Sequence, residues 1–100
     1  MMEGRPIKFR VLEILSESGE AWNKDIVSQL QSEYGAPSRY SRDCLNFDLI
    51  EMGASGMIAE SDAALDEDGS YGHLLVKYRI TTLGNALLEE LRGNVKPRGA

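Results

Sequence analysis

Residues 41–61 read SRDCLNFDLIEMGASGMIAES, and this stretch decides which fold the sequence predicts. Its first half places Leu45, Leu49 and Met52 at the i, i+4, i+7 spacing of a single helix face. The glycine-containing segment 53–56 interrupts that periodicity, and a short apolar run after it is typical of a β-strand. The sequence therefore predicts a helix that leads through a glycine turn into a strand.

The chain before this stretch predicts two further helices and the start of the third. Apolar residues at helical spacing indicate a first helix over Ile7–Leu15. Asn23 is a favourable N-cap for a second helix over Lys24–Tyr34, and a short extended segment leads into it. Gly35 can adopt the left-handed conformation that ends a helix. The third helix, 38–54, starts at another N-cap candidate, a serine.

The chain after this stretch predicts a β-hairpin and a last helix. Segments 57–61 and 74–81 have the composition of strands, and residues 66–72 supply the turn between them. Thr81 or Thr82 can cap the last helix. We expect the leucines of this helix to point inward, namely Leu83, Leu87, Leu88 and Leu91.

Two motifs in this order resemble the winged helix-turn-helix regulators of the PadR and MarR types. Residues 41–61 resemble their recognition helix followed by the Gly-apolar-apolar start of the wing, and KYRITTLGNALLEEL, 77–91, resembles the start of their final helix. The resemblance implies an α+β winged helix-turn-helix fold over 1–92, with three helices, a two- or three-stranded wing and a C-terminal helix. It also implies that helix 38–54 enters the major groove of DNA. Residues 93–100 lack an apolar pattern and predict a flexible tail.

The charge balance argues against DNA. The chain has 11 Lys and Arg against 16 Asp and Glu, a net charge of −5, whereas affinity for DNA comes largely from cations that neutralise phosphates. The expected wing tip, DEDGSYG at 66–72, places carboxylates where phosphates would approach. We expect these acids to be solvated turn formers; alternatively, they repel DNA and the domain binds a basic protein partner. The ligand spacing of an EF-hand calcium loop is absent.

Candidate DNA contacts occur at the start of two helices and on one strand. Lys24 begins the second helix, where free backbone amides can also meet a phosphate. Arg39 and Arg42 begin the third helix, and Lys77 and Arg79 share one face of a strand because they are two residues apart. The complete candidate DNA-binding set is Lys24, Arg39, Tyr40, Ser41, Arg42, Asn46, Lys77 and Arg79.

A further apolar series on the third helix requires its own explanation. Tyr40, Cys44, Phe47 and Ile50 follow i, i+4, i+7, i+10 spacing, although a helix with one face in the core and another on DNA does not need them. We expect the first two helices and a wing strand to cover this series. The alternative is an exposed patch used for dimerisation or for binding a partner.

The sequence predicts no enzyme, no cofactor and no metal site. His73 is the one histidine and has no second His or Cys at metal-ligand spacing. Cys44 is the one cysteine, so no intrachain disulfide can form. Phosphate-binding loops and nucleophile elbows are absent. Since no membrane-spanning run and no signal peptide are present, we expect a cytoplasmic protein without membrane association.

Two functional hypotheses follow from these patterns. The first is a sequence-specific transcriptional regulator that binds double-stranded DNA as a homodimer, because symmetric dimers read half-sites about 34 Å apart. The terminal helices, Ile7–Leu15 and Leu83–Leu91, are the expected dimer surface. The second hypothesis is a winged-helix protein–protein interaction module without DNA binding.

Overall fold

The computed structural model describes residues 6–69, 71 and 74–95. Within these ranges the chain forms four helices and a three-stranded antiparallel sheet, which confirms the predicted α+β class. None of the helices in this described part is both long and apolar enough to cross a bilayer. The elements in chain order are α1 (Ile7–Ser18), β1 (Glu20–Trp22), α2 (Asn23–Tyr34), α3 (Arg39–Ala54), β2 (Ile58–Leu65), β3 (Leu74–Ile80) and α4 (Thr82–Val95).

The sheet has β3 at its centre, with β1 on one side and β2 on the other. β1 pairs antiparallel with β3 over Glu20–Trp22, where the sequence predicts only an extended connection. β2 and β3 form a hairpin whose register shifts between Glu60 and Asp62. From Glu60 onward every residue of β2 is exposed, so the outer part of the hairpin extends beyond the core.

The core lies between the helices and the inner face of the sheet. α3 contributes the predicted stripe of Leu45, Leu49 and Met52, all of which are buried. The helical spacing of the deciding stretch is therefore confirmed. The buried apolar residues are Phe9, Val11, Leu12, Ile14, Leu15, Ile26, Val27, Leu30, Leu45, Leu49, Met52, Ile58, Tyr78 and Leu88.

Backbone geometry confirms two of the predicted helix ends. Gly35 has φ 65° and ψ 38°, which is the left-handed conformation expected just after α2. The Ser38 hydroxyl accepts a hydrogen bond from the Ser41 amide at 3.0 Å and so caps α3. These two residues stop α2 and restart the chain as α3.

The predicted N-cap of α2 is wrong. Asn23 is the first residue of the helix, and Trp22 occupies the cap position without a side-chain hydrogen bond. Asn23 is buried; its Nδ2 donates to Asn46 Oδ1 at 3.0 Å, and its Oδ1 accepts from the Val76 amide at 3.2 Å. Because the pairing of β1 with β3 continues to Trp22, the Asn23 side chain lies between α3 and β3 and not over the first turn of α2.

α4 begins in close contact with the chain that enters β2. Thr81 Oγ1 accepts from the Gly84 amide at 3.0 Å, so Thr81 is the cap. A Cβ at Gly84 would overlap the Met57 carbonyl oxygen and lie 2.8 Å from Ile80 Cγ1. Because Gly84 is the residue that packs against the chain entering β2, its neighbour Leu83 lies at the edge of that contact and is half exposed. The predicted inward position of Leu83 is therefore wrong.

The C-terminal end of α4 lies at Val95, so residues 93–95 of the predicted tail are helical. Leu88 is buried, and Leu87 and Leu91 pack partly against the core. The rest of the predicted tail, 96–100, lies outside the described residues, as do 1–5.

Candidate functional site

The side of α3 that faces away from the core is apolar. Tyr40 is 78% exposed, Phe47 57% and Ile50 52%, and Cys44 is exposed as well. These four residues are called the α3 apolar face. The expectation that neighbouring elements cover them is wrong, because α3 turns the Leu45 stripe inward and a residue half a helical turn away then points outward.

Carboxylates accompany the α3 apolar face. Asp43 and Glu51 are exposed on the same side of the helix, and after Arg42 the sequence of α3 contains no Lys or Arg. Lys8 from α1 lies 3.9 Å from Glu51 Oε1. Burial raises the pKa of Asp48, although Lys8 opposes this effect. The outward side of α3 is therefore apolar and acidic over most of its length.

A groove separates α3 from the inner face of the sheet. It consists of two open cavities of about 340 Å³ each, which meet at Ile50, Glu60 and Tyr78. Burial raises the pKa of Tyr78, and the Glu60 carboxylate adds to that effect. This α3–β3 groove is lined by Ile50, Gly53, Ala54, Ile58, Ala59, Glu60 and Tyr78 at one end and by Asn23, Asn46, Ile50, Glu60, Tyr71, Leu74, Val76 and Tyr78 at the other.

Arg42, a predicted DNA contact, is held against the hairpin. Its guanidinium carbon lies 5.6 Å from the centroid of the Tyr71 ring, within the range of a cation–π interaction. Its Nε is buried, has no hydrogen-bond partner among the described residues, and lies 3.7 Å from Asp43 Oδ1. Burial raises the pKa of Tyr71, and the nearby Arg42 charge opposes that rise. Arg42 is thus engaged within the domain.

Two other predicted contacts also have structural partners. The Ser41 hydroxyl donates to the Ala36 carbonyl at 2.6 Å, which closes the turn between α2 and α3. Asn46 Oδ1 accepts from Asn23. Tyr40 and Arg39 are exposed at the start of α3.

The basic residues of β3 lie away from the groove. Side chains alternate between the two faces of a strand, so Lys77 and Arg79 point away from the face that carries Tyr78. Lys77 Nζ lies 3.6 Å from Glu20 Oε1 and 5.7 Å from the centroid of the Trp22 ring. Arg79 is exposed. The structure therefore separates this pair from the basic residues of α3.

The acidic turn lies beside Lys24, the remaining predicted contact. Lys24 lines an open cavity of about 270 Å³ together with Leu65, Asp66, Glu67, Asp68 and Leu75. These acids do form a turn, since the Gly69 amide donates to the Asp66 carbonyl at 3.2 Å and Gly69 has φ 74°; whether they repel DNA stays a prediction. Ser70, Gly72 and His73 lie outside the described residues.

Metal ligands do not cluster in the part of the chain that the structure describes. No group of three or more His, Cys, Asp or Glu side chains there is placed to hold an ion. His73 is outside that part.

Comparisons with protein-family models, curated proteins and solved structures gave no match. The resemblance to PadR- and MarR-type regulators stays a prediction.

The sequence interpretation missed Glu60, Tyr71 and Tyr78 as residues that line the α3–β3 groove. Glu60 and Tyr78 come together because they are partners in the β2–β3 register, and α3 then supplies Ile50 opposite them. To predict that Tyr71 belongs to this site, one would have had to know that its ring lies against Arg42 of α3. A signal for Tyr78 was present in the alternation of β3, which predicts that it shares a face with Val76 and Ile80.

Proposed function

We propose that this chain is a winged-helix protein–protein interaction module whose α3 apolar face binds the partner. The observation that carries the proposal is the exposure of Tyr40, Phe47 and Ile50, each more than half accessible, on a helix that buries a different stripe. Contiguous exposed apolar surface on a soluble domain commonly marks a binding site. Aromatic side chains in particular are enriched where proteins meet.

The order of elements supports the winged-helix part of the proposal. A helix, a short strand, two helices, two strands and a final helix follow one another, and the short strand joins the hairpin in one sheet. In this arrangement α2 and α3 are the helix-turn-helix pair, and the β2–β3 hairpin is the wing.

The charges on the outward side of α3 favour a protein partner over DNA. Asp43 and Glu51 are exposed there, and the net charge of the chain is −5. Phosphates of a DNA backbone would be repelled by these carboxylates, since binding to DNA depends on neutralising cations. A protein surface with apolar and basic side chains has no such penalty.

A sequence-specific transcriptional regulator is the second candidate function. Its support is the exposure of Arg39 at the first residue of α3 and of Lys24 near the start of α2, where helix N-termini also attract phosphates. In that case α3 enters the major groove of double-stranded DNA. The exposed Arg79 on β3 would then meet a phosphate only if the outer face of the sheet also approached the duplex.

The interaction proposal predicts that Phe47→Asp together with Ile50→Asp abolishes partner binding without unfolding the domain. Both positions are exposed, so the free energy of unfolding should change by about 0.5 kcal/mol or less per site. Affinity purification with the immobilised domain, followed by mass spectrometry, measures the loss. Leu65→Asp is the matched control, because it places the same charge at an exposed leucine on the hairpin. Recovery of the same protein by all variants would contradict the proposal.

Fluorescence anisotropy with DNA separates the two candidates. The probe is a labelled random-sequence duplex of about 30 bp, titrated at about 50 mM and about 200 mM salt. The interaction module should not bind at tens of micromolar. Salt-dependent binding at micromolar concentration, weakened by Arg39→Ala but not by Arg92→Ala on α4, would favour the regulator. The second variant is the control because it removes the same charge from a different surface.

A further inference from the structure

The α3–β3 groove adds a charged contact to the α3 apolar face. Ile50 belongs to both surfaces, since it lines both cavities and is more than half exposed. Glu60 lines the groove beside it. Among residues 6–69, 71 and 74–95, no Lys or Arg forms an ion pair with the Glu60 carboxylate. A charge-assisted hydrogen bond from outside the domain can therefore form there.

Two bases near α3 pair with acids of that helix and not with Glu60: Lys8 Nζ lies 3.9 Å from Glu51 Oε1, and Arg42 Nε lies 3.7 Å from Asp43 Oδ1. Arg39 lies at the first residue of the helix, at the end remote from Ile50 and Glu60. Arg42 is engaged with the Tyr71 ring at 5.6 Å. The surface from Phe47 to the groove is consequently apolar with the Glu60 carboxylate at its border, and its complement is an apolar stripe with a basic side chain at its border.

The shape of this surface fits a helix. From Tyr40 to Ile50 the α3 apolar face extends about 15 Å, at about 1.5 Å per residue. A partner helix of about three turns covers that length with apolar side chains at i, i+3 or i+4, and i+7. An added strand would find no free backbone groups along the middle of α3, because those groups are bonded within the helix.

We propose that the α3 apolar face and the α3–β3 groove together bind a basic amphipathic helix, whose lysine or arginine donates a hydrogen bond to the Glu60 carboxylate. This inference rests on the proposed interaction function and adds the chemical class of the partner.

Two synthetic peptides test the inference. The first is an 18-residue helix, about five turns long, with leucines at i, i+3, i+4, i+7 spacing and lysines on both borders of the leucine stripe. The second has glutamate at every lysine position. Each peptide is titrated into the isotopically labelled full chain, and backbone amide shifts in the NMR spectrum are followed. The lysine peptide should shift Phe47, Ile50, Ile58, Glu60 and Tyr78, and the glutamate peptide should not.

The Glu60→Gln variant tests the charged contact. This variant should bind the lysine peptide with an affinity roughly threefold to fivefold lower, as expected for the loss of one partly exposed ion pair. Glu67→Gln is the matched control, since it removes the same charge from the hairpin turn, and it should leave the affinity unchanged. An equal effect of the two variants would mean that only net charge matters and would overturn the role of Glu60.

The remaining outcomes separate this inference from the proposed function. Equal binding of both peptides to the same α3 residues would overturn the claim that the partner is basic, while the claim of interaction through the α3 apolar face would stand. Shifts on another surface, or none with either peptide, would overturn the groove as the binding site. A dimer that Ile50→Asp converts to a monomer would identify a second copy as the occupant and overturn the inference. DNA binding by the random duplex pool would instead count against the proposed function.

Discussion

Gly84 lies where the first turn of α4 meets the chain entering β2. An alanine Cβ would overlap the Met57 carbonyl oxygen, which is backbone and cannot rotate away. We expect Gly84→Ala to lower the free energy of unfolding by about 1–3 kcal/mol, as for other overpacked sites. Urea unfolding followed by circular dichroism measures the change.

Gly93→Ala is the control for that substitution. Gly93 is also in α4, but an added Cβ there meets no atom of the described part of the chain within 4 Å. Alanine is the better helix former by up to about 1 kcal/mol, so this variant should be as stable as the wild type or more stable. Destabilisation of both variants to the same degree would show that the contact with Met57 is not the cause.

Arg10 and Glu33 form a two-point ion pair between α1 and α2. Arg10 Nε lies 2.7 Å from Glu33 Oε1, and Arg10 Nη2 lies 2.8 Å from Oε2. The side chains are 15% and 20% exposed. The hydrogen bonds from Arg10 lower the pKa of Glu33 from its usual 4.5 to about 2, although burial opposes them. The same hydrogen bonds raise the pKa of Arg10, which therefore stays charged.

This pair predicts a loss of stability in acid. Because the pKa of Glu33 is lower in the folded state, its contribution is complete above pH 4.5 and disappears as the pH falls toward 2. We expect the unfolding free energy of the wild type to lose about 1–2 kcal/mol more over this window than that of Glu33→Gln, allowing for solvent screening. Urea unfolding at several pH values measures both profiles.

Glu89→Gln is the control for the pH experiment. Glu89 is exposed and lies 3.6 Å from Arg92 on the same helix, so its removal should leave the wild-type pH dependence intact. Parallel profiles for the wild type and Glu33→Gln would contradict the role assigned to the Arg10–Glu33 pair.

At the scale of elements, the Asn23 amide connects α2 to both α3 and β3. It donates to Asn46 Oδ1 and accepts from the Val76 amide. Asn23→Ala should reduce the unfolding free energy by about 1–3 kcal/mol, because it leaves the half-buried Val76 amide without its acceptor. Asn46→Ala should reduce the unfolding free energy by less, since it removes only one of the two hydrogen bonds of Asn23. Equal losses in urea unfolding would mean that the bond to Val76 contributes nothing.

α3 carries two apolar series, and their different environments determine what the helix can do. Leu45, Leu49 and Met52 are buried in the core, whereas Tyr40 and Phe47 are exposed. Substitutions in the first series should therefore act on folding, and substitutions in the second on binding. This separation is why the variants at Phe47 and Ile50 can test function without unfolding the domain.

At the scale of the whole molecule, the predicted homodimer would use α4. Leu83, Leu87 and Leu91 form one strip at i, i+4, i+8 spacing, and Leu83 is half exposed. The strip is smaller than the sequence suggests, because Leu88 is buried and α4 packs against α1 in the same copy. The apolar surface left for a second copy is therefore modest.

We expect a dimer at tens of micromolar, the concentration range of a modest interface, and Leu83→Glu should convert it to a monomer. Sedimentation equilibrium measures the mass. Leu65→Glu is the matched control, because it changes an exposed leucine on the hairpin, and it should remain dimeric. A monomeric wild type at this concentration would contradict the prediction.

Much of the candidate site was recognisable before the structure, but its environment was not. The spacing of Tyr40, Cys44, Phe47 and Ile50 identifies them as one series. Whether they are covered depends on where α1, α2 and the sheet lie around α3. The environment of the predicted DNA contacts was likewise not readable from the sequence. Arg42 packs against the Tyr71 ring, and Lys77 lies beside Glu20 and Trp22.

The sequence by itself determined the local elements. The Ser38 cap, the left-handed Gly35 and the buried stripe of α3 depend on hydrogen bonds and periodicities within a few residues, so a local pattern predicts them. Only the tertiary structure decided that Asn23 is a buried bridge and that the α3 apolar face is open. Those properties depend on β1 pairing with β3 and on where α1, α2 and the sheet lie around α3. Such contacts join residues far apart in the chain, and periodicity carries no information about them.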